Sequence, residues 1–489
     1  MEFLFGILGI AVCAVLIAFI RALASRPERA PEPPLRERAL DRDAIAEHLG
    51  GAIRIPSVCF DKIEERDYSQ WTRFGEYLCS TYPLMHQSME LEVLGGYALL
   101  YRWRGKNPGK KPILLMAHMD VVPVAEGTLN EWKYPPFSGQ IAEGCVWGRG
   151  AIDMKGSLIA IAEACETLLK EGFVPERDIY VSFGQNEEAA GESDACNTAR
   201  LFQDRGVEFE FILDEGGAML DGAPFGISGK IAALGVSEKG YIDVVLRAKG
   251  SGGHSSRPPK RTALVELSRA LVRLSQTSMR ARIEGPTREL LVTLAPHMRA
   301  GRRFVYSNLW LFGAFVKSAY QKDAATNAMI RTTFAPTQAR GSDAPNVLPD
   351  CAQAVVNVRV APWDTVQGAI GHIRRAIAPC GVTIGEIPLA AEPSAVTKTD
   401  EAAYRYVASI VRRCFQGFIV APYPMLGATD SRYFTGLTRS VIRFVPFRSL
   451  ERDIETMHGV NERVAIDSLA EGVEFFIGII EHLSDGTLP

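Results

Sequence analysis

Short apolar runs rich in β-branched and aromatic residues recur through the middle of the chain, and a helical pattern separates the first two. The runs lie at residues 112–117 (PILLMA), 178–183 (DIYVSF) and 208–213 (EFEFIL), and residues 156–170 place apolar or small side chains at helical spacing. An order of strand, helix and strand is typical of an α/β fold built on a parallel sheet. We therefore predict a main α/β domain with a mixed, largely parallel sheet.

The pattern of strands and helices changes in the second half of the chain. Two strand-like segments, 241–250 (YIDVVLRAKG) and 353–362 (QAVVNVRVAP), are each followed by a helical pattern, at 262–276 and 364–378. Two such strand and helix pairs suggest a small sheet covered by helices. We predict an inserted α+β (ferredoxin-like) domain over residues 241–394, with the main domain divided into residues 41–240 and 395–489.

The chain opens with an uncharged apolar segment at residues 3–20, FLFGILGIAVCAVLIAFI. Its length is close to the roughly 20 residues that a helix needs to cross the hydrocarbon core of a membrane. A cleaved signal peptide is the alternative, because ALA at 22–24 resembles a cleavage site, but Glu2 stands where a signal peptide carries basic residues. We predict a single-pass N-terminal membrane anchor over residues 3–24 and a proline-rich tether over residues 25–40, and the sequence leaves the side of the membrane open.

Charge and cysteine content argue against two classes of function. The 54 basic and 57 acidic residues give a net charge of -3, so no basic field is present to recruit nucleic acid, and we expect no nucleic-acid partner. The nine cysteines lie far apart without a CxxC pair, which argues against a zinc–thiolate site and a disulfide framework. We expect the cysteines to behave as small buried hydrophobic residues.

Polar side chains that can carry chemistry follow the predicted strands of the main domain. They are His118 and Asp120 after the first strand, Asp153 before the helix, Glu187 and Glu188 after the second strand, and Asp214 after the third. In an open α/β sheet, ligands bind beyond the carboxyl ends of the strands. We therefore expect these side chains to share one rim of the sheet.

Each of these residues has an ordinary structural explanation when it is taken singly. His118 suits a hydrogen-bonded core position, Asp153 suits a helix N-cap, and the pair Glu187 and Glu188 suits the solvated start of a helix. Several buried carboxylates on one rim repel one another unless a cation lies among them, and imidazole and carboxylate ligands without a thiolate suit a zinc-like ion. The cluster as a whole predicts a metal-dependent hydrolytic site.

Eight motifs carry a resemblance to a known family, in the family's order along nearly the whole chain after residue 41. They are HMDVVP, GRGAIDMKG, GQNEEAAG, LDEGG, GSGGHSS, NVLPD, GATDSRYF and MHGVNE. In these motifs the chain resembles the dinuclear zinc peptidases that include carboxypeptidase S, aminoacylase, carboxypeptidase G and the dipeptidase of lactic bacteria. The apolar start and the long insertion at residues 280–340 are most similar to the carboxypeptidase S branch, which includes secreted hydrolases of N-fatty-acyl amino acids. The resemblance implies that the main domain is catalytic and that the inserted domain is a lid or dimerisation domain.

The resemblance also implies a role for each residue of the site. Two zinc ions would be bound: His118 and Asp214 would hold one, Glu188 and His458 would hold the other, and Asp153 would bridge them. Glu187 would be the general base, Asp120 would orient His118, and His254 would stabilise the oxyanion as the inserted domain closes, in some relatives across a homodimer. Cobalt and manganese accept the same kinds of ligand.

Substrate contacts are implied for Asn346, Arg359, Gly427 and Thr429. A guanidinium binds a carboxylate bidentately, so Arg359 would select a substrate with a free carboxylate; an outward strand residue is the plainer interpretation. The loop GATDSRYF has Ala428 where the family more often has a second glycine. Its methyl group could narrow the approach of a substrate carboxylate to the backbone N–H groups of that loop.

These features predict a zinc-dependent metallopeptidase or amidohydrolase, similar to carboxypeptidase S, that cleaves the amide bond of a C-terminal amino acid or of an N-acyl amino acid. Its expected partners are that peptide or N-acyl amino acid, the membrane through the N-terminal helix, and a second copy through the inserted domain. The alternatives are a di- or tripeptidase or an aminopeptidase on the same scaffold, and, more remotely, a non-catalytic metal-binding protein. The apolar segment 308–320 either packs in the core or faces a lipophilic substrate or a membrane.

Overall fold

The structure, a computed structural model, describes residues 2–27, 32–189, 194–448, 456–484 and 488. Its α-helices are, in chain order, α1 Glu2–Ala24, α2 Arg42–Ile53, α3 Ser69–Thr81, α4 Pro83–Ser88, α5 Lys155–Lys170, α6 Asp194–Asp204, α7 Ala263–Ser275, α8 Gly285–Leu294, α9 Ala300–Tyr306, α10 Leu309–Tyr320, α11 Ala324–Ile330, α12 Val366–Ile377, α13 Ala402–Cys414 and α14 Ile466–Glu481.

The strands are, in chain order, β1 Glu90–Leu94, β2 Ala98–Trp103, β3 Ile113–His118, β4 Gln140–Ala142, β5 Cys145–Trp147, β6 Ile179–Gly184, β7 Phe211–Asp214, β8 Ala218–Asp221, β9 Lys230–Glu238, β10 Gly240–Lys249, β11 Gly253–His254, β12 Thr333–Arg340, β13 Val347–Leu348, β14 Cys351–Val360, β15 Val382–Ile384, β16 Leu389–Ala391, β17 Ile419–Met425, β18 Val441–Arg443 and β19 Arg463–Ala465. The three apolar runs predicted as strands, 112–117, 178–183 and 208–213, correspond to β3, β6 and β7.

The first sheet is large and mixed. Its strands lie in the spatial order β1-β2-β6-β3-β7-β18-β9-β17, and β8 pairs with β9. The central strands β6, β3, β7 and β18 are parallel to one another, as are β9 and β17. Four pairings are antiparallel: β1 with β2, β2 with β6, β8 with β9, and β18 with β9. The prediction of a mixed, largely parallel α/β sheet is confirmed.

Helices cover the central strands and keep them rigid. Every residue of β3 and β6 is buried, as expected for strands that lie between two layers of helices. Helix α5 buries most of its residues, including Ile159, Ala162 and Cys165, and packs against α14 and β3. One hydrophobic core runs through these elements. The residues at the carboxyl ends of the strands therefore stand on a close-packed base.

A second, smaller sheet has the strand order β12-β14-β10-β15, with β16 paired to β10, and its pairings are antiparallel. Buried and partly exposed residues alternate along β10, and helices α7 and α12 pack on the sheet around a hydrophobic core of their own. These elements match the strands and helices expected within residues 241–394. The domain boundaries and the role as a lid or dimer interface stay predictions.

Helices α8 to α11 pack at the edge of the first sheet. Side chains from these helices share a hydrophobic cluster with Ile231 of β9 and Ala421 of β17. Within α10, Val316 is buried, whereas Trp310 and Phe315 are 54% and 67% exposed. The apolar segment 308–320 is therefore a core helix along one side and an exposed apolar surface along the other.

The N-terminal apolar segment forms helix α1, which packs against α9. Ala18 and Ala22 are buried, and the side-chain amide of Asn308 donates a hydrogen bond to the carbonyl of Ala18 at 2.9 Å. Within the described part of the chain, no helix meets the length and apolarity that a membrane span requires. By this finding the predicted anchor over residues 3–24, the membrane localisation and the membrane partner are wrong. The prediction rested on the length and apolar composition of the segment and took no account of helix packing on the protein.

The predicted tether, residues 25–40, falls partly outside the described residues. In its described part, the Arg38 guanidinium lies 2.7 Å from a carboxylate oxygen of Glu481, and Glu32 accepts a hydrogen bond from Arg412 at 2.7 Å. Leu35 packs against the main hydrophobic core. This part of the segment lies along the surface of the main sheet and its helices.

Candidate active site

The carboxyl ends of the central parallel strands bring most of the predicted site residues to one edge of the first sheet. Strand β3 ends at His118, β6 ends at Gly184 shortly before Glu187, and β7 ends at Asp214. His118 and Gly184 are direct partners in the sheet register. Because these strands are parallel, the side chains that follow them meet on one rim.

Asp153 lies between two histidines. Its Oδ1 is 3.1 Å from Nε2 of His118, and its Oδ2 is 2.8 Å from Nε2 of His458. Glu188 joins on the second side, with Oε1 3.1 Å from Nε2 of His458. The two oxygens of the Asp153 carboxylate thus approach two different histidines. A carboxylate that bridges two metal ions in a hydrolase requires this arrangement.

These contacts shift the pKa values of the three groups. Burial works to raise the pKa of Asp153, but hydrogen bonds with His118 and His458 outweigh it and hold that pKa below the usual range. Hydrogen bonds with Asp153 and Glu188 raise the pKa of His458 to about 10. Burial works to lower the pKa of His118, yet its carboxylate partners raise it well above the ordinary value. The site therefore attracts positive charge strongly.

Glu187 and Glu215 lie on the other side of His118. These three residues offer ligand atoms within 4.8 Å of one another, and Oε1 of Glu215 is 3.6 Å from Nε2 of His118. Burial, followed by the charge of Glu215, raises the pKa of Glu187 well above its usual range. Burial and the charge of Asp153 do the same for Glu215. A proton is therefore bound readily at Glu187.

The carboxylate of Asp120 holds the loop that carries the paired glutamates. Its two oxygens accept hydrogen bonds from the backbone N–H groups of Glu187 at 3.3 Å and Glu188 at 3.0 Å. The Nδ1 atom of His118 is 3.0 Å from the backbone carbonyl oxygen of Asp120 and 3.5 Å from its carboxylate. The side chain of Asp120 thus positions the glutamates, a role that the sequence analysis did not include.

The two acids that follow one another at the end of β7 have different neighbours. Oδ2 of Asp214 accepts a hydrogen bond from the backbone N–H of Ser431 at 2.9 Å. Glu215, the next residue, lies against His118. Sequence reasoning assigned the metal to Asp214 and missed Glu215, although both stand in the motif LDEGG. The structure makes Glu215 a second candidate for the same ligand position.

A buried ion pair between Arg149 and Glu462 supports Asp153 and His458. The two side chains approach to 2.6 Å, and Glu462 also accepts hydrogen bonds from the backbone N–H groups of Ile152 and Asp153 at 2.9 and 3.2 Å. Arg149 donates to the carbonyl of His458, whose φ of 58° lies in a region that L-residues rarely adopt. Sequence reasoning gave neither residue a role, although both stand in the motifs GRGAIDMKG and MHGVNE.

The loop that contains Gly427 and Thr429 is anchored by buried charges. The hydroxyl of Thr429 donates to Oε1 of Glu238 at 2.7 Å, and Nε of Arg443 donates to the same oxygen at 2.5 Å. Gly427 is exposed, and a Cβ built there would meet nothing within 4 Å. The side chain of Thr429 is therefore structural.

The remaining predicted residues lie on the second sheet and at the two-stranded sheet of β11 and β13. His254 is exposed, and the carbonyl of Asn346 accepts a hydrogen bond from the N–H of Ser255 at 3.0 Å. Arg359 stacks on Tyr241, with its guanidinium carbon 4.6 Å from the ring centroid. In the part of the chain that the structure describes, these residues belong to neither group of potential metal ligands.

Comparison with known families agrees with this geometry. Residues 114–482 match the family model described as "Peptidase family M20/M25/M40", which is more than half of the chain. The chain belongs to this peptidase family. It is therefore a hydrolase of the metallopeptidase class, and the family and enzyme class predicted from the motifs are confirmed.

Three M20 proteins similar in sequence to this chain are named either as carboxypeptidases or as an N-fatty-acyl-amino acid synthase/hydrolase. "Probable carboxypeptidase S-like 2" of Dictyostelium discoideum is 35% identical over 442 residues, covering 90% of this chain and 85% of the relative. Human "N-fatty-acyl-amino acid synthase/hydrolase PM20D1" is 35% identical over 470 residues, covering 94% and 92%. Carboxypeptidase S of Saccharomyces cerevisiae is 30% identical over 495 residues, covering 91% and 85%.

Solved M20 structures share the fold. The M20 family metallo-carboxypeptidase Sso-CP2 of Sulfolobus solfataricus superposes with a TM-score of 0.66 at 18% sequence identity, covering 89% of this chain and 98% of that one. Human carnosine dipeptidase 1 superposes with a TM-score of 0.62 at 16% identity, covering 90% and 95%. At these identities the likeness establishes the fold alone.

The residues of the site fit the divalent metal chemistry of the M20 family. The potential ligand atoms are imidazole nitrogens and carboxylate oxygens, which suit zinc-like ions. Burial and the charges of neighbouring carboxylates raise the pKa values of Glu187, Glu188 and Glu215. A cation among them removes that repulsion, so the donor set is suited to a metal-dependent hydrolase.

Proposed function

We propose that this M20 hydrolase cleaves the amide bond between an acyl group and an amino acid with a free carboxylate, including the C-terminal residue of a peptide. The observation that carries the proposal is the cluster in which Asp153 lies between His118 and His458, with Glu187 beside it. The similar proteins named above include carboxypeptidases and an N-fatty-acyl-amino acid synthase/hydrolase. Their names support these two related amides as substrates.

Two zinc ions would fit between these side chains. His118 and His458 each offer an imidazole nitrogen, Asp153 offers one oxygen to either side, Glu188 lies beside His458, and one of the two acids that follow β7 completes the set. When bound, the ions polarise the substrate carbonyl and lower the pKa of a water molecule. Cobalt and manganese accept the same kinds of ligand.

Glu187 would act as the general base. Its partly exposed side chain lies beside His118 and Glu215, and these surroundings raise its pKa and so favour the protonated form that it takes up during the reaction. It would accept a proton from the attacking water and return that proton to the leaving nitrogen. The hydrogen bond from its backbone N–H to Asp120 limits the reorientation that this transfer requires.

Arg359 and Asn346 would bind the substrate carboxylate, together with the backbone N–H groups between Gly427 and Thr429. In the described part of the chain Arg359 makes no ion pair, so its terminal nitrogens are available to an anion. His254 would stabilise the oxyanion. Because the strand of His254 pairs with the strand that directly follows Asn346, a single closing movement, or a second copy of the chain in a homodimer, would bring both to the substrate.

Turnover of a substrate series tests the proposed specificity. For N-acyl amino acids of rising chain length, we expect kcat/KM to increase by up to about fourfold for each methylene that becomes buried, until the acyl pocket is filled. Amidation of the substrate carboxylate should abolish most of this activity. Blocked dipeptides and free dipeptides belong in the same panel. Hydrolysis of free dipeptides alone, without turnover of any N-acyl amino acid, would contradict the proposal.

Replacement of the two acids that follow β7 tests which one holds metal. We expect Glu215→Gln to lose close to one metal ion per chain, because Glu215 faces His118. We expect Asp214→Asn to weaken metal affinity by about 10–100-fold through displacement of the loop at Ser431, without removing a ligand. Each variant is incubated with rising concentrations of a chelator and passed through gel filtration, and its metal content is measured by atomic emission. These measurements distinguish the loss of a ligand from a weakened affinity. Full metal loss in Asp214→Asn with retention in Glu215→Gln would assign the ligand to Asp214.

A further inference from the structure

A cavity of about 280 Å³ lies away from the acidic cluster, between α10 and the segment 280–288 that leads into α8. Its basic lining residues are Arg280, Arg282, Arg288 and Lys317, and its acidic lining residue is Glu284. None of these belongs to the group of residues around His118 and Asp153. The cavity is therefore a separate feature of the surface, strongly basic in a chain whose net charge is -3.

The positive charge in this cavity is largely uncompensated. Arg282 approaches Glu284 at 3.5 Å, and both side chains are partly exposed. In the described part of the chain, Arg280, Arg288 and Lys317 form no ion pair, and Nε of Arg282 is buried without a hydrogen-bond acceptor. The cavity consequently presents guanidinium and ammonium groups to an anion.

The wall of the cavity formed by α10 is apolar apart from Lys317. Leu309, Trp310 and Gly313 of α10 line it, and Trp310 is 54% exposed. Leu311 and Phe315 follow Trp310 on the adjacent, solvent-facing side of the same helix, with 39% and 67% exposure. An inorganic anion would use the basic wall and leave these side chains in water. A ligand that also carries a long apolar chain would cover them.

We propose that this cavity binds the carboxylate of a long-chain amphiphile, a fatty acid or an N-fatty-acyl amino acid, with its chain lying across Trp310 toward Leu311 and Phe315. Charge complementarity fixes the head group, because the basic side chains outnumber Glu284 and the guanidinium groups can bind a carboxylate bidentately. The exposed apolar side chains of α10 would contact the hydrocarbon chain of the ligand. The proposal does not depend on the amide that the active site cleaves.

Quenching of tryptophan fluorescence by a brominated fatty acid, below its critical micelle concentration, tests the proposal directly. The chain has six tryptophans, so wild type is compared with Trp310→Phe to isolate the signal from the cavity. We expect saturable quenching in wild type, most of which disappears in Trp310→Phe. Quenching that survives in Trp310→Phe comes from other sites, including the active site if a fatty acid is the product there, and full survival would overturn the proposal.

Charge variants test the head-group contacts. Arg280→Gln/Arg288→Gln should weaken binding of the brominated fatty acid by about tenfold or more, whereas Arg269→Gln/Arg340→Gln, which removes two exposed charges elsewhere, should leave it unchanged. If the first double variant does not fold, Lys317→Gln replaces it, with an expected loss of several-fold. Equal affinity in the cavity variants and the matched control would overturn the proposal.

The ligand series separates the amphiphile from simpler anions. The methyl ester of the same fatty acid should bind about tenfold more weakly, because it lacks the charge, and inorganic phosphate should not displace the fatty acid at comparable concentration. Displacement by phosphate at the same concentration would show a plain anion site and overturn the proposed role of α10. Equal binding of ester and acid would overturn the role of the basic residues.

Discussion

Replacement of Glu187 by glutamine is expected to lower kcat for the hydrolysed amide by about 10²–10⁴-fold while the bound metal is retained. The substitution keeps the shape of the side chain and removes the proton acceptor. Glu187 lies beside His118 and Glu215, and its backbone is held by Asp120, so a neutral amide can occupy the same position without unfolding the loop. The loss would then arise in the chemical step, with KM little changed.

The matched control is the neighbouring substitution Glu188→Gln. Glu188 lies 3.1 Å from His458 and shares a group of potential ligand atoms with His118 and Asp153, so its loss should reduce the metal content as well as activity. Metal analysis and kcat measured on the same samples distinguish the two glutamates. Wild-type turnover in Glu187→Gln would refute the assignment of the general base, and loss of metal in that variant would make Glu187 a ligand.

Replacement of Arg443 by methionine should lower the free energy of unfolding by about 3–5 kcal/mol. Arg443 is fully buried, and its Nε donates to Glu238, which is also buried. Removal of the guanidinium leaves the Glu238 carboxylate without its charged partner in the interior, which costs more than the loss of the pair itself. Because Glu238 also accepts a hydrogen bond from Thr429, the loop at residues 427–431 should loosen at the same time.

Equilibrium unfolding in urea measures the change in stability, and KM for the N-acyl amino acid reports on the loop. The matched control is Arg340→Met, because both side chains of the ion pair between Arg340 and Asp343 are exposed. This pair should contribute about 0–1 kcal/mol to the free energy of unfolding. A destabilisation in Arg443→Met no larger than that of the control would show that the buried pair contributes little. Hydrogen exchange at Ser431 provides a local check on the loop.

The residues of the site could be named from sequence because their position on the fold follows from simple rules. His118 and Asp214 come directly after apolar runs and Glu187 follows one closely, and the carboxyl ends of parallel strands meet on one rim. The strands themselves were recognisable because β3 and β6 are buried throughout and read as continuous apolar segments. The same emphasis on apolar composition failed for α1, because hydropathy does not register the packing of Ala18 and Ala22 against other helices.

By itself, the sequence determined the α/β sheet, the peptidase family and the set of acids and histidines that could carry the reaction, since strand periodicity and short motifs are local properties. The tertiary structure decided which neighbours each of those residues contacts, and therefore which role each can take. Asp214 and Glu215 are adjacent in the chain yet point to Ser431 and His118, because successive side chains leave the backbone in different directions. Glu462 supports the backbone of Asp153 from 309 residues away, a contact that exists only once the chain has folded.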